Sequence, residues 1–198
     1  MSDKSTHLHS VENAGAFFPC SSLTQSSHRN MKSTKIEWTD KTWNPVTGCT
    51  KHSSATPYHR YQLLTKCVER MAEYFSDRTI PSNVWLGVTV ESSLAKYRID
   101  YLRKLSASIK FLSCEPLLES LGNLNLDNID WVIVGGESGP KARPMKEEWA
   151  LQIQAQTERQ GTAFFFKQWG TWGSDGVKRN KHANGKMIGG RIYQAMPA

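Results

Sequence analysis

Five short apolar runs punctuate this chain, and each ends on a charged or amide residue. They occupy residues 61–66, 84–91, 111–115, 131–137 and 164–168. Apolar runs of this length, bounded by turn residues, are typical of strands buried on both faces of a parallel sheet. Their spacing leaves room for a crossover helix between neighbouring strands. The pattern therefore predicts an α/β fold, a partial (β/α) barrel built on a parallel sheet.

Apolar residues at helical spacing predict helices between these strands. The third predicted helix follows Pro144 and ends at Gly161, a residue type common at helix C-termini. The stretch 116–130 has no comparable period and is predicted to form one helical turn and a loop. The residues predicted to face the sheet are Val68, Met71, Ala72 and Phe75, then Leu94, Tyr97, Tyr101, Leu102 and Leu105, and finally Trp149 and Ile153.

The ends of the chain differ from its middle in composition. Residues 1–30 are rich in Ser, His and Asn without a sustained period, which predicts a disordered N-terminal extension. Met31 opens a denser segment and is a candidate start of translation. Residues 31–198 are predicted to form the partial α/β barrel domain, with Gly-, Asn- and Lys-rich loops and a short hairpin in a basic C-terminal tail.

The chain carries a formal net charge of +7, and much of the excess lies in its tail. Basic tails can contact phosphates, so nucleic acid is one candidate partner, while a solvated surface without a partner is the alternative. No apolar stretch approaches the roughly 20 residues that a membrane span needs, so no membrane partner is expected. The basic residues of the tail are Lys178, Arg179, Lys181, Lys186 and Arg191.

Four cysteines, Cys20, Cys49, Cys67 and Cys114, are scattered without the spacing of a disulfide framework. This pattern favours reduced thiols and a cytoplasmic location. The chain contains no CxxC pair, and iron–sulfur clusters need about three or four thiolates brought together. Each cysteine is therefore predicted to be a buried or idle thiol, and no metal site is predicted.

Carboxylates follow three of the predicted strands. Glu91, Glu115 and Glu137 are expected to converge at the carboxyl edge of the sheet, where α/β proteins bind ligands. Converging carboxylates can act as general acid and base or bind a cation, so these three residues, with Lys66 and Lys167, are the catalytic candidates. In the alternative interpretation, the glutamates cap helices or pair with Lys66, Lys167 and Arg143.

Two further segments at strand ends are candidates for ligand binding. The loop 135–139 contains consecutive glycines, which let a ligand approach the backbone, although a plain tight turn explains them equally well. The segment 167–170 joins a cation, an amide and an aromatic ring, which suits a polar planar ligand. The ligand-binding candidates are Gly135, Gly136, Glu137, Ser138, Arg143, Gln168 and Trp169.

Several sequence blocks resemble a known family, the phage-associated three-Cys-motif proteins (phage protein Gp thirty-seven / Gp sixty-eight type). The resemblance extends from about Ser33 to Pro197. It implies a radical-SAM-like partial barrel in a phage-type protein of unknown function. The blocks that carry it are 36–39, 42–49, 64–66 with 69–71, 83–88, 111–117, 131–139, 142–145 and 164–170.

In that family, three cysteines are thought to ligate an iron–sulfur cluster that cleaves S-adenosylmethionine. Here Cys49 matches the first cysteine, whereas the second and third are absent and Cys67 stands where an arginine is usual. About one strand–helix unit before residues 64–66 is also missing, which predicts an internally truncated chain and an exposed edge on the strand 61–66. We therefore expect no cofactor, with Cys49 as a lone remnant of the cluster motif.

Three functions follow as expectations. The first is a radical-SAM-like phage protein without cluster-dependent catalysis. The second is a binding module for nucleic acid or for a phage-system protein, using the basic tail and the aromatic residues of the edge. The third is carboxylate-dependent hydrolysis at Glu91, Glu115 and Glu137.

Overall fold

A parallel sheet of five strands forms the centre of the protein. The computed structural model describes the backbone of residues 13–18, 32–33 and 41–43, and all of residues 60–198. The five strands pair in the order in which they occur in the chain, and every pairing is parallel. They coincide with the five apolar runs, so the predicted parallel α/β sheet is confirmed. The strands are β4 (Arg60–Thr65), β5 (Val84–Thr89), β6 (Lys110–Cys114), β7 (Trp131–Gly135) and β8 (Ala163–Gln168).

Three short strands extend this sheet beyond β4. They are β1 (Asn13–Phe18), β2 (Lys32–Ser33) and β3 (Lys41–Trp43). β1 runs parallel to β4 over its whole length, β3 runs parallel to β1, and β2 is antiparallel to β3.

The pairing of β1 with β4 differs from two expectations. β1 lies within the segment 1–30, for which disorder was predicted, and it covers the edge of β4 that was expected to be exposed. The physical reason is that the backbone donors and acceptors along an open strand edge gain from pairing with any available strand. The rest of residues 1–30, together with Met31 and Cys49, lies outside the described residues.

Helices α1 (Val68–Tyr74), α2 (Tyr97–Arg103) and α3 (Glu147–Gln160) pack on one face of the sheet. The predicted apolar faces of α1 and α3 are confirmed. The predicted end of α3 is confirmed too, because Gly161 adopts a left-handed conformation with φ of 69°. None of the helices in the described residues combines the length and apolar character that crossing a membrane requires.

The predicted buried stripe of α2 is partly wrong. Leu94 is 87% exposed, and Tyr97 and Tyr101 are also exposed. Leu102 and Leu105 are buried as predicted, and the other residues that reach the core are Ile99 and Ala95, the latter in the 3-10 turn Ser93–Ala95. Two stripes at helical spacing compete here, and the one with the smaller side chains allows the helix to approach the sheet closely.

The connection between β6 and β7, residues 116–130, contains no helix and is called the clamped loop here. Leu117, Leu121, Leu124 and Leu126 of this loop are buried, while side chains from the helices on either side bind its backbone. Gln156 of α3 accepts a hydrogen bond from the amide of Leu124 at 2.7 Å and donates to the carbonyl of Gly122 at 3.0 Å. Gln160, Lys96 and Arg103 bind other backbone groups of the loop. These contacts replace the missing helical hydrogen bonds.

The opposite face of the sheet carries a smaller apolar cluster that includes Trp85, Phe111, Trp131 and Phe165. This face is called the inner face here. The segment following β10 runs along β8, and Trp131 donates a hydrogen bond from Nε1 to the carbonyl of Ala195 at 2.9 Å. The tail therefore helps to cover the inner face.

Residues 171–192 form a C-terminal lobe after β8. The lobe contains the short helix α4 (Lys181–Asn184) and a hairpin of β9 (Met187–Ile188) and β10 (Arg191–Ile192). The hairpin was predicted from the glycines of this segment, and Gly189 and Gly190 both have positive φ at its turn.

Candidate ligand site at the carboxyl rim

The segments that follow the carboxyl ends of β4 to β8 form one connected edge, called the carboxyl rim here. Backbone hydrogen bonds join the segments after β5 to β8 to one another, and the segment after β4 is joined through the side chain of Lys66. The amide of Leu118 donates to the carbonyl of Glu91 at 3.1 Å, and the amide of Leu117 donates to that of Gly135 at 2.9 Å. The amide of Gly136 donates to the carbonyl of Gln168 at 2.9 Å. The rim therefore has fixed positions for the side chains that it carries.

The first charged cluster of the rim is centred on Glu91. Its carboxylate oxygens lie 2.9 Å from Nζ of Lys66 and 2.9 Å from Nη1 of Arg98. Burial alone would raise the pKa of Glu91, but the hydrogen bond from Lys66 and the charges of both cations lower it below its ordinary value. Glu91 is therefore held as an anion at neutral pH.

The second cluster lies in the middle of the rim and is the most buried of the three. Glu115 accepts hydrogen bonds from Nζ of Lys167 at 2.8 Å and from Nε2 of Gln168 at 3.1 Å. The side chains of Lys167 and Glu115 are only 12% and 17% exposed. The low dielectric around the pair strengthens the attraction between its two charges. If either partner is removed, the other remains as an unpaired, partly buried charge, which destabilises the fold.

The third cluster is a bidentate pair near the surface. Nε and Nη2 of Arg143 each lie 2.9 Å from a carboxylate oxygen of Glu137, and the backbone amide of Arg143 also donates to Glu137. These hydrogen bonds from Arg143 lower the pKa of Glu137 to about 2. The alternative interpretation, in which each glutamate pairs with a cation, is thus what the geometry shows.

The two consecutive glycines after β7 serve close approach within the chain. A Cβ on Gly136 would lie 1.9 Å from the carbonyl oxygen of Trp169, so the two segments can meet only if no side chain is present. A Cβ on Gly135 would lie 3.1 Å from the carboxyl carbon of Glu115. Both glycines are buried, whereas Ser138 in the same loop is exposed. Gly135 and Gly136 therefore shape the rim and leave Ser138 as its solvent-facing residue.

The aromatic residues predicted at the rim have different positions. Trp169 is 2% exposed, packs against Phe166 in the core and donates a hydrogen bond from Nε1 to the carbonyl of Met187 at 2.8 Å. It presents no surface to a ligand, because the residues after β8 turn it towards the helix layer. Trp172 is half-buried and lies beside Lys178.

The cysteines of the described residues do not fit an iron–sulfur cluster. Cys114 is fully buried within the core between sheet and helices, and burial, with the charge of Glu91, raises the pKa of its thiol to about 12. Cys67 is disulfide-bonded, so the expectation of reduced thiols is wrong for this residue. A cluster needs thiolates that converge, and neither side chain supplies one.

The remaining catalytic expectation concerns the three glutamates. A general acid must be protonated near the operating pH, and the lowered pKa values of Glu91 and Glu137 oppose that role. Within residues 60–198 and the described N-terminal strands, no three His, Cys, Asp or Glu side chains group as metal ligands do. The geometry favours ordered charges for binding over proton transfer.

Two polar residues of this region were not predicted from the sequence. Arg98 binds both Glu91 and the carbonyl of Thr89, although its position in a helix indicated an ordinary surface residue. Gln62 is fully buried on β4, and its side-chain amide makes no hydrogen bond to the part of the chain that the structure describes. The one signal in the sequence that links Gln62 to the rim is its spacing of four residues from Lys66, which follows directly after β4.

Comparison with known proteins gives one positive result. No curated protein and no solved structure matches the chain. Residues 52–197, which include all five central strands and the whole carboxyl rim, match the model of a protein family described as a "Protein of unknown function". That description names no activity, so the resemblance to radical-SAM-like phage proteins stays a prediction. The match covers most of the chain, which therefore belongs to the DUF5131 family.

Proposed function

We propose that this protein is a radical-SAM-like, three-Cys-motif phage protein whose carboxyl rim binds a small polar ligand without cluster-dependent catalysis. The observation that supports the proposal is the set of three glutamates at neighbouring strand ends, each paired with a lysine or arginine. In parallel α/β proteins, ligands bind at this edge of the sheet.

The charges of the rim favour a ligand that carries both signs. Lys66 and Arg143 are 53% and 60% exposed, so their donors can reach an anionic group. Glu91 and Glu115 offer carboxylate oxygens to a cationic group nearby. An amino-acid derivative, with its carboxylate and ammonium, has this combination of charges. S-adenosylmethionine, which the family resemblance implies, is such a compound and is the probe we choose.

The first test measures S-adenosylmethionine binding by isothermal titration calorimetry. We expect binding by the unmodified chain and a loss of about tenfold or more in Glu115→Gln, because a charged acceptor at the centre of the rim is removed. Glu158→Gln is the matched control, since Glu158 is exposed on α3, belongs to none of the three charged clusters of the rim, and its carboxylate accepts a hydrogen bond from Gln154. Equal affinities of Glu115→Gln and the unmodified chain would contradict the rim as the binding site.

The second test concerns the cluster. Anaerobic incubation with iron and sulfide, followed by optical and EPR spectroscopy, should give no stable four-iron cluster, because the described thiols are buried or oxidised. A bound cluster that supports cleavage of S-adenosylmethionine would overturn this part of the proposal and leave the binding test unaffected.

A further inference from the structure

The C-terminal lobe carries an excess of positive charge. Residues 171–192 contain five lysines and arginines and a single aspartate. Asp175 is already paired with Arg179, so it does not neutralise the other cations. Neighbouring cationic side chains repel one another unless an anion lies nearby, and together they attract polyanions. The other cationic side chains of the lobe are Lys178, Lys181 and Arg191, together with Lys186, which has an interaction of its own.

The lobe is fixed against the loop that follows β7. Nε1 of Trp172 donates a hydrogen bond to the carbonyl of Ala142 at 2.7 Å, and Nζ of Lys178 lies 4.8 Å from the centroid of the Trp172 ring. Lys141 and Arg143 flank Ala142 in the chain. Lys178 therefore lies over one half-buried indole, and two further cations flank, in the chain, the residue that accepts the hydrogen bond of this indole.

A second lysine–indole pair lies where the hairpin of the lobe meets α3. The amide of Gly189 donates to Oε1 of Glu147 at 2.7 Å, which places the β9–β10 turn against the first turn of α3. In that same turn, Nζ of Lys146 lies 5.6 Å from the centroid of the half-buried Trp149 ring. The lobe thus contacts both segments that carry a lysine–indole pair. The pairs Lys178–Trp172 and Lys146–Trp149, with the neighbouring Lys141, are called the lobe surface here.

We propose that the lobe surface binds single-stranded nucleic acid. Sites for single strands combine a basic track for the phosphates with aromatic rings on which bases stack. A lysine on its flexible stem can leave the face of Trp149 or Trp172 to contact a phosphate, which uncovers the ring for a base. An acidic protein would use the cations but not the ring faces, and a duplex keeps its bases stacked internally.

This inference does not depend on the proposed function of the rim. Lys141, Lys178 and Trp172 make none of the contacts to Glu91, Glu115 or Glu137 that define the three charged clusters. Only Arg143 belongs to both regions, and it is therefore left unchanged in the test.

The experiment is a fluorescence anisotropy titration of the full chain against a labelled oligothymidylate of about 20 nucleotides. The salt concentration is varied between about 50 and 200 mM, because each phosphate contact to a single strand adds about −0.7 to the slope of log K against log salt. We expect a linear, negative slope. Affinity that ignores the salt concentration would overturn the proposal.

The decisive variant is Lys141→Gln/Lys178→Gln. It should make the slope less steep by about 1.4, because two phosphate contacts are lost. The control, Lys104→Gln/Arg159→Gln, removes the same charge from the C-terminal ends of α2 and α3, and Lys104 also lies over an aromatic ring, that of Tyr101. A control that weakens binding as much as the decisive variant would overturn the proposal.

Two competitors separate the alternatives. Duplex DNA of the same length should bind more weakly than the single strand, because it offers no base faces to Trp149 and Trp172. Polyglutamate at equal charge should displace the oligonucleotide poorly. Duplex that binds as tightly as the single strand, or polyglutamate that competes equally, would overturn the assignment to single-stranded nucleic acid.

Discussion

The clamped loop and the carboxyl rim both fix irregular backbone with polar side chains, but they use different chemistry. In the clamped loop, the neutral amides of Gln156 and Gln160 reach 32 to 36 residues back along the chain to bind the backbone. In the rim, backbone bonds already join the segments, and the side chains form ion pairs with one another. The polar side chains around the loop therefore stabilise its backbone, whereas the rim keeps charged side chains at the edge where we propose that a ligand binds.

The largest expected effect tests how tightly the rim is packed. Gly136→Ala places a methyl group 1.9 Å from the carbonyl oxygen of Trp169, so the backbone must move. We expect a loss of at least about 3 kcal/mol in the free energy of unfolding, measured by chemical denaturation.

The matching glycine of the clamped loop provides the control. Gly122 has φ of 59° but open space around its Cβ position, so Gly122→Ala should cost only the backbone strain of about 1–2 kcal/mol. If both substitutions cost the same, crowding does not distinguish the rim from the loop.

The next largest effect is expected from removing one of the glutamines that bind the clamped loop. Gln156→Ala leaves the buried amide of Leu124 and the carbonyl of Gly122 without their partner, and we expect a loss of about 2 kcal/mol. The loss should be the same at pH 4 and pH 7, because no ionisable group is involved. Gln154→Ala, which removes a hydrogen bond to the exposed side chain of Glu158, should lower the free energy of unfolding by less than about 0.5 kcal/mol. Equal losses in the two variants would contradict the clamp.

The smallest effect is a pH dependence confined to the rim. The pKa of Glu137 is lowered to about 2 in the folded chain by its hydrogen bonds from Arg143. A lowered pKa contributes stability above the unfolded pKa of about 4.3, and this contribution is lost as the pH falls through the folded value. The difference in stability between the unmodified chain and Glu137→Gln should therefore shrink from pH 6 towards pH 2. The effect is small and falls with added salt, because Arg143 is exposed. A constant difference would contradict the ionised pair.

The sequence predicted the central fold because its signals are local. Each strand is a continuous apolar run. The charged residue at its end can be assigned to the carboxyl rim without knowing the order of the strands in the sheet. The pairing of Glu115 with Lys167 was named as an alternative, since residues at the ends of parallel strands meet at one edge.

Other features depend on contacts that no local pattern encodes. The clamp formed by Gln156 and Gln160 joins segments that are distant in the sequence, and glutamines on a helix indicate only solvent exposure. The stripe with Tyr97 and Tyr101 and the stripe with Ala95 and Ile99 both have helical spacing. The second is buried because its smaller side chains let α2 approach the sheet more closely. The burial of Trp169 depends on how the chain turns after β8.

The rate at which Cys114 is chemically labelled reports how often the core of the folded protein opens. Alkylating reagents attack the thiolate, and this thiol is fully buried on the central strand β6 with a pKa of about 12. Modification of the folded chain at this residue must therefore wait until the helix layer moves away from β6. The labelling rate at Cys114 reports the free energy of that opening without any substitution in the chain. A ligand that stabilises the rim should lower the labelling rate at Cys114.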